Sequence, residues 1–142
     1  MQLTSEITVN LDIEQVWDFL SDPLNSPKWD KSVASVVLPE GSFSGTGCIV
    51  DTIAPSGMRQ SFRVTEFQPP RFFKFILLQS STFKEADMSF LLEKVSEGTK
   101  ITHVINFKLH LRSFMLYPVL LLTSKKALGA DMTYLKNALE LE

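Results

Sequence analysis

Between Val33 and Leu111 the chain carries six strand-length runs in succession, joined by links too short for anything but turns. Val33 to Leu38 closes at PEGSFSGTG, Cys48 to Ala54 turns at Pro55-Ser56-Gly57, and Met58 to Phe67 stops at Pro69-Pro70. Arg71 to Gln79 and Thr82 to Val95 come next, and Ser96-Glu97-Gly98 turns tightly into Thr99 to Leu111. Links of this length join strands that run in opposite directions, so the pattern predicts an antiparallel meander. Nothing in the chain reads as a linker, a repeat or a low-complexity segment.

Helical patterns flank the meander. Ile7, Val9 and Leu11 alternate on one face of a first strand, and the period then changes to Ile13, Val16, Trp17 and Leu20. Asp12 with Gln15 three residues on reads as a capping box for that helix. DPLNSPKW, with prolines at 23 and 27, allows a short second helix or turn ending near Trp29. From Phe114 to Leu139 the pattern predicts one long helix, with Pro118 in its first turns and a stripe of Leu128, Met132, Leu135 and Leu139 in its second half. The expected order is strand, two helices, six strands, long helix: an α+β protein, βααββββββα.

Composition narrows the class. Residues 1–140 suffice for one domain with a sizeable core, and Leu141-Glu142 reads as an expression scar. Eleven Phe stand against two Tyr. Phe brings apolar area with no hydrogen-bonding handle, so the excess points to a large apolar interior, filled or hollow. The net charge is −2 and the basic residues are scattered, which argues against nucleic acid as a partner. Cys48 is the single cysteine, leaving no disulfide framework or thiolate cluster. The start, MQLTSEITVN, lacks the basic and apolar regions of a signal peptide, so the expected location is cytoplasmic.

This order of elements resembles the helix-grip fold of the START and birch-pollen-allergen superfamily (the SRPBCC group), and within it the bacterial polyketide cyclase/dehydrase-like branch. The resemblance rests on VWDFLSDPLNSPKW (16–29), GTG (45–47), FRVTEFQPPRFFKF (62–75), EGTKITH (97–103) and LKNALE (135–140), in that order. It implies a curved antiparallel sheet of about seven strands wrapped around the C-terminal helix, with a cavity between them. It also implies lipid-like, sterol, polyketide or quinone ligands, and for a minority of members cyclisation or dehydration of polyketides. By the same analogy Trp29 packs near the cavity rim, where ordinary packing is its other reading.

The apolar run Phe114 to Leu122 is too short to span a membrane: nine residues cover about half of a ~30 Å hydrocarbon core. Without a polar face it is no in-plane anchor either. Being apolar all round, it needs cover on both sides: the sheet on one, and a cavity mouth, loops or a second subunit on the other. A filled core is the plain alternative. Phe114, Tyr117 and Leu121 are the ligand candidates here, at the expected pocket entrance.

Strand alternation supplies the rest. Ala86, Met88, Phe90 and Leu92 form one inward set; Phe62 and Val64 form another, and Phe73, Phe75 and Leu77 a third. In the last strand Ile101, His103, Ile105, Phe107 and Leu109 share parity, so His103 points into the apolar face. There it could orient a ligand oxygen or relay a proton. Its other reading is a core histidine bonded to a backbone group or a buried water. Asp51 has Ile49 and Ile53 on its own parity and Val50 on the other; pointing inward, it would be a buried acid fit for a general base. Arg59 and Arg63 fall on the outer surface, as do Glu85, Asp87 and Ser89.

Catalytic candidates are thus His103 and Asp51. Ligand candidates are Trp29, Phe62, Phe75, Met88, Phe90, His103, Ile105, Phe114, Tyr117 and Leu121. No metal or other cofactor is expected, because the histidines at 103 and 110 have opposite parity and no phosphate loop opens a helix. Three readings remain: a carrier of a small hydrophobic molecule, a cyclase/dehydratase-type enzyme with His103 as proton relay, and a partner-binding module, such as a homodimer, using the apolar start of the last helix.

Overall fold

The structure is a computed structural model that describes residues 1–79, 83–110 and 129–140. Seven strands form one antiparallel sheet: β1 Gln2–Val9, β2 Ser35–Val37, β3 Ile49–Ile53, β4 Arg59–Gln68, β5 Phe72–Leu77, β6 Phe83–Val95 and β7 Gly98–Leu109. Their order in the sheet is β1-β7-β6-β5-β4-β3-β2. The six meander strands lie side by side in chain order, and β1 closes the far edge against β7, with Leu3 opposite Ile105 and Ile7 opposite Ile101. Helix α1 (Ile13–Leu20) and a 3₁₀ turn (Pro23–Lys28) cross from β1 toward β2. The C-terminal helix α2 is described over 129–140. This is the α+β helix-grip architecture.

The helix starts follow from the local chemistry. The Asp12 backbone N–H donates to Gln15 Oε1 at 3.3 Å, the predicted return bond of a capping box. Asp22 accepts from the Leu24 N–H at 3.0 Å and opens the 3₁₀ turn, with Pro23 in the first position where its missing N–H costs nothing.

Two extra residues bend the sheet. Pairing slips between Val64 and Glu66 in β4 and between Phe83 and Glu85 in β6, so Thr65 and Lys84 are bulge residues. A bulge curves its strand and reverses the facing of whatever lies beyond it. Phe67 therefore faces inward, where it meets Trp17 at 5.2 Å, although simple alternation from Val64 would turn it out. Phe83 likewise joins the inward row opposite Leu109, away from the face of Glu85 and Asp87.

One end of the concave face is solidly filled. Val16, Trp17 and Leu20 of α1 pack with Leu92, Ile101 and the Met132, Leu135 and Leu139 stripe of α2, as that stripe's spacing predicts. Leu128, the stripe's remaining member, lies outside the described residues. Leu92, Ile101 and Leu135 have no exposed surface, and each such side chain stabilises the fold by about 1.5–3 kcal/mol relative to exposure. The β6–β7 turn is pinned beneath this core: Thr99 Oγ1 donates to the Leu11 carbonyl at 2.8 Å. Gly98 has φ +132°, and a Cβ there would collide with the Val9 carbonyl oxygen, so only glycine fits.

Candidate functional site

Beyond Phe90 and His103 the packing opens. The other end of the concave face holds a cavity of about 320 Å³, at the lower end of the range of small-molecule sites. Its floor comes from alternate residues of five strands: Val50 and Thr52 of β3, Gln60, Phe62 and Val64 of β4, Phe73, Phe75 and Leu77 of β5, Phe83, Ala86, Met88 and Phe90 of β6, and His103 and Ile105 of β7. Leu20, the 3₁₀ turn and the segment after it supply the rim, with Trp29, Asp30 and Val33; Phe43 reaches in from the β2–β3 loop. A larger groove of about 610 Å³ runs between the β1–α1 link and the β6–β7 turn, but its wall is solvated polar chain and gathers no chemistry.

The cavity gathers Trp29, Phe62, Phe75, Met88, Phe90, His103 and Ile105, seven of the ten ligand candidates. Phe114, Tyr117 and Leu121 lie outside the described residues, as does the whole apolar run that suggested an entrance or an interface. Trp29 combines both of its readings. It is 7% exposed and meets the Phe90 ring edge to face at 6.0 Å, yet it also forms part of the cavity wall. Sequence reasoning missed Phe43 and Phe83, and with them Val50, Thr52 and Gln60. Phe43 is the lone aromatic in a Gly/Ser loop and packs against Phe67 at 5.4 Å, which is the signal it offered. Gln60 shares parity with Phe62 and Val64 and could have been found by counting.

His103 sits on the boundary between filled core and cavity. It is 5% exposed, and its ring lies flat on Phe90, with centroids 4.0 Å apart and planes 6° from parallel. Neither imidazole nitrogen has a hydrogen-bond partner among the described residues. Of the two partners anticipated for a plain core histidine, a backbone group or a buried water, no backbone group among the described residues bonds the ring. Burial alone pushes its pKa down to about 3, so the ring is neutral at physiological pH.

Asp51 takes the outward alternative. Val50 and Thr52 on either side of it face the cavity, so Asp51 faces away. There Arg59 holds Asp51 Oδ2 through two guanidinium bonds of 2.8 and 2.6 Å. The Ser61 hydroxyl opposite it, and then Arg59, hold its carboxyl below the usual carboxylate range against the opposing effect of burial. A carboxylate so placed has neither the position nor the basicity of a general base acting in the cavity, which removes Asp51 from the catalytic candidates.

An acidic pair marks the rim. Asp30 lines the cavity, and Asp131 on α2 is pushed up to about pH 6, first by burial and then by the charge of Asp30. Lys31 lies over the Tyr134 ring of α2 at 5.1 Å, beside this pair. A carboxyl whose folded pKa lies above its unfolded value gives stability that is complete below about pH 4 and lost as pH rises through 6. Asp131→Asn should therefore raise the melting temperature at pH 7–8 and converge with wild type below pH 4, a comparison that thermal denaturation across pH reads directly.

Comparison with known proteins agrees with this architecture. A family model described as polyketide cyclase / dehydrase and lipid transport matches residues 1–140. TTHA0849 from Thermus thermophilus superposes with a TM-score of 0.80 at 13% identity, covering 99% of this chain and 98% of that one. The Aha1 dimer from Colwellia psychrerythraea gives 0.74 at 17% identity over 99% and 96%. Ara h 8.0201 gives 0.74 at 15% over 99% and 98%. At these identities the solved structures establish the shared fold alone. A sequence search of curated proteins finds no match.

Proposed function

Because the chain belongs to the polyketide cyclase/dehydrase and lipid transport family of the SRPBCC superfamily, we propose that it binds or carries a small hydrophobic molecule in the cavity between the sheet and the segments that cover it. The observation that carries this reading is the cavity itself: about 320 Å³ of space walled mainly by Phe, Val, Leu, Ile, Ala and Met side chains. A ligand in an apolar cavity gains dispersion contacts with its walls, and burying ligand surface contributes about 25 cal/mol per Å².

Binding is better supported than proton transfer. A general base works best with a pKa near the working pH, whereas His103 is held down to about 3, and among the described residues no carboxylate bonds it. Among the described residues no helix is long and apolar enough to cross a membrane.

Native mass spectrometry tests it, on freshly purified protein and on protein incubated with long-chain alcohols, sterols and fused-ring aromatics. A one-to-one adduct that leaves on denaturation is the expected result, and no adduct from any class would sink the reading. The same spectrum counts subunits. A dimeric mass would bring forward a homodimer of the kind named for the Aha1 relative.

A further inference from the structure

The cavity is mainly apolar, with Thr52 and Gln60 in its floor and serines and Asp30 at its rim, and its wall carries one buried ring whose two nitrogens have no partner among the described residues. A neutral imidazole offers one N–H donor and one acceptor nitrogen. Stacking fixes the plane of that ring: His103 lies on Phe90, and Phe90 on Phe73 at 5.1 Å with planes 25° apart. Ser5, its cross-strand neighbour on β1, faces the same side without bonding either nitrogen. The described lining contains no Lys or Arg to meet an anion, and its one charged side chain, Asp30, is itself negative.

We propose that His103 is the specificity-determining residue of this cavity, selecting apolar ligands whose polar group is an uncharged hydroxyl over those that carry a carboxylate. A hydroxyl both donates and accepts, so it satisfies whichever nitrogen it meets. A carboxylate only accepts, and would meet no counter-charge among the described lining residues. Protonating the imidazole to supply that charge is opposed by the same burial that keeps the ring neutral. Preorganisation by the Phe90 stack means that little ordering is lost when the bond forms. The inference rests on the binding reading above and goes further by naming the ligand's polar group.

The test is calorimetric titration at pH 7.5 with three probes of like shape: naphthalene, 2-naphthol and 2-naphthoate. Wild type should bind 2-naphthol about tenfold more tightly than naphthalene, the worth of one buried hydrogen bond, and 2-naphthoate more weakly than either. In His103→Phe the ratio of naphthol to naphthalene affinity should fall to about one, whatever change the phenyl ring brings to both probes alike. His103→Gln, which restores a donor and an acceptor, should recover part of it. A naphthol preference that survives in His103→Phe, or 2-naphthoate binding as tightly as 2-naphthol, overturns the proposal. Equal binding of all three probes removes the selectivity but leaves the carrier reading intact, whereas binding of none removes both.

Discussion

Met88→Trp should abolish ligand uptake, weakening 2-naphthol or a co-purified adduct by at least a hundredfold, while the protein stays folded. Met88 sits in the middle of the cavity floor, between Phe75 on β5 and Ile105 on β7, and both of those neighbours line the cavity too. At about 320 Å³ the cavity has little space to spare, so an indole in place of a thioether takes the volume a ligand would occupy. In a filled core, overpacking of this kind costs about 1–3 kcal/mol; here the added atoms have empty space to enter, so the cost falls at the low end of that range. Circular dichroism and thermal melting report the fold, and native mass spectrometry or calorimetry reports the ligand. The opposite change, Met88→Ala, should enlarge the cavity and shift preference toward bulkier probes. Unimpaired binding by folded Met88→Trp would place the ligand elsewhere on the protein.

That prediction concerns a residue which alternation alone could identify, and the reason is physical. Along β5, β6 and β7 the side chains keep strict two-residue periodicity for most of their length, so Phe75, Met88, Phe90, His103 and Ile105 were legible as one face. Phe83 and Phe67 were not, because the bulges at Lys84 and Thr65 that turn them inward exist only in the register with neighbouring strands. Asp51 shows a different limit. Hydrophobic residues occupy both faces of β3, so parity could not say which way the carboxyl pointed until Val50 and Thr52 were seen to line the cavity. The capping box and the α2 stripe were local signals and came through directly. What no pattern carries is satisfaction: the sequence placed His103 on the apolar face, but only the packed neighbours reveal that its nitrogens lack partners among the described residues.

That missing satisfaction should be visible as acid sensitivity. In the unfolded chain His103 titrates near 6.5, and in the folded protein burial holds it down to about 3. Between those values the unfolded state takes up a proton that the native state refuses, so stability falls as pH drops through this window, by about 1.4 kcal/mol per pH unit at most. The full effect by pH 3 is on the order of 4–5 kcal/mol, a large share of a typical domain's stability. At pH 7.5 both states are neutral and the term vanishes. Asp131 acts in the opposite direction between about pH 4 and 6, so the wild-type profile should be shallower there than His103 alone would make it. The cleanest measurement is urea denaturation of Asp131→Asn with and without His103→Phe, from pH 3.5 to 7.5. The phenyl ring can keep the stack on Phe90 and leaves no buried nitrogen unpaired, so the double variant should gain on the single one steadily as pH falls below 6.5, and should match or slightly exceed it at neutral pH. Parallel profiles would mean that His103 takes up its proton alike in the folded and unfolded states, so that burial does not hold it down. A steepening gap would show that the protein keeps, at the base of its cavity, a polar group that weakens the fold whenever it is protonated. Such a cost is consistent with a residue retained for what it binds.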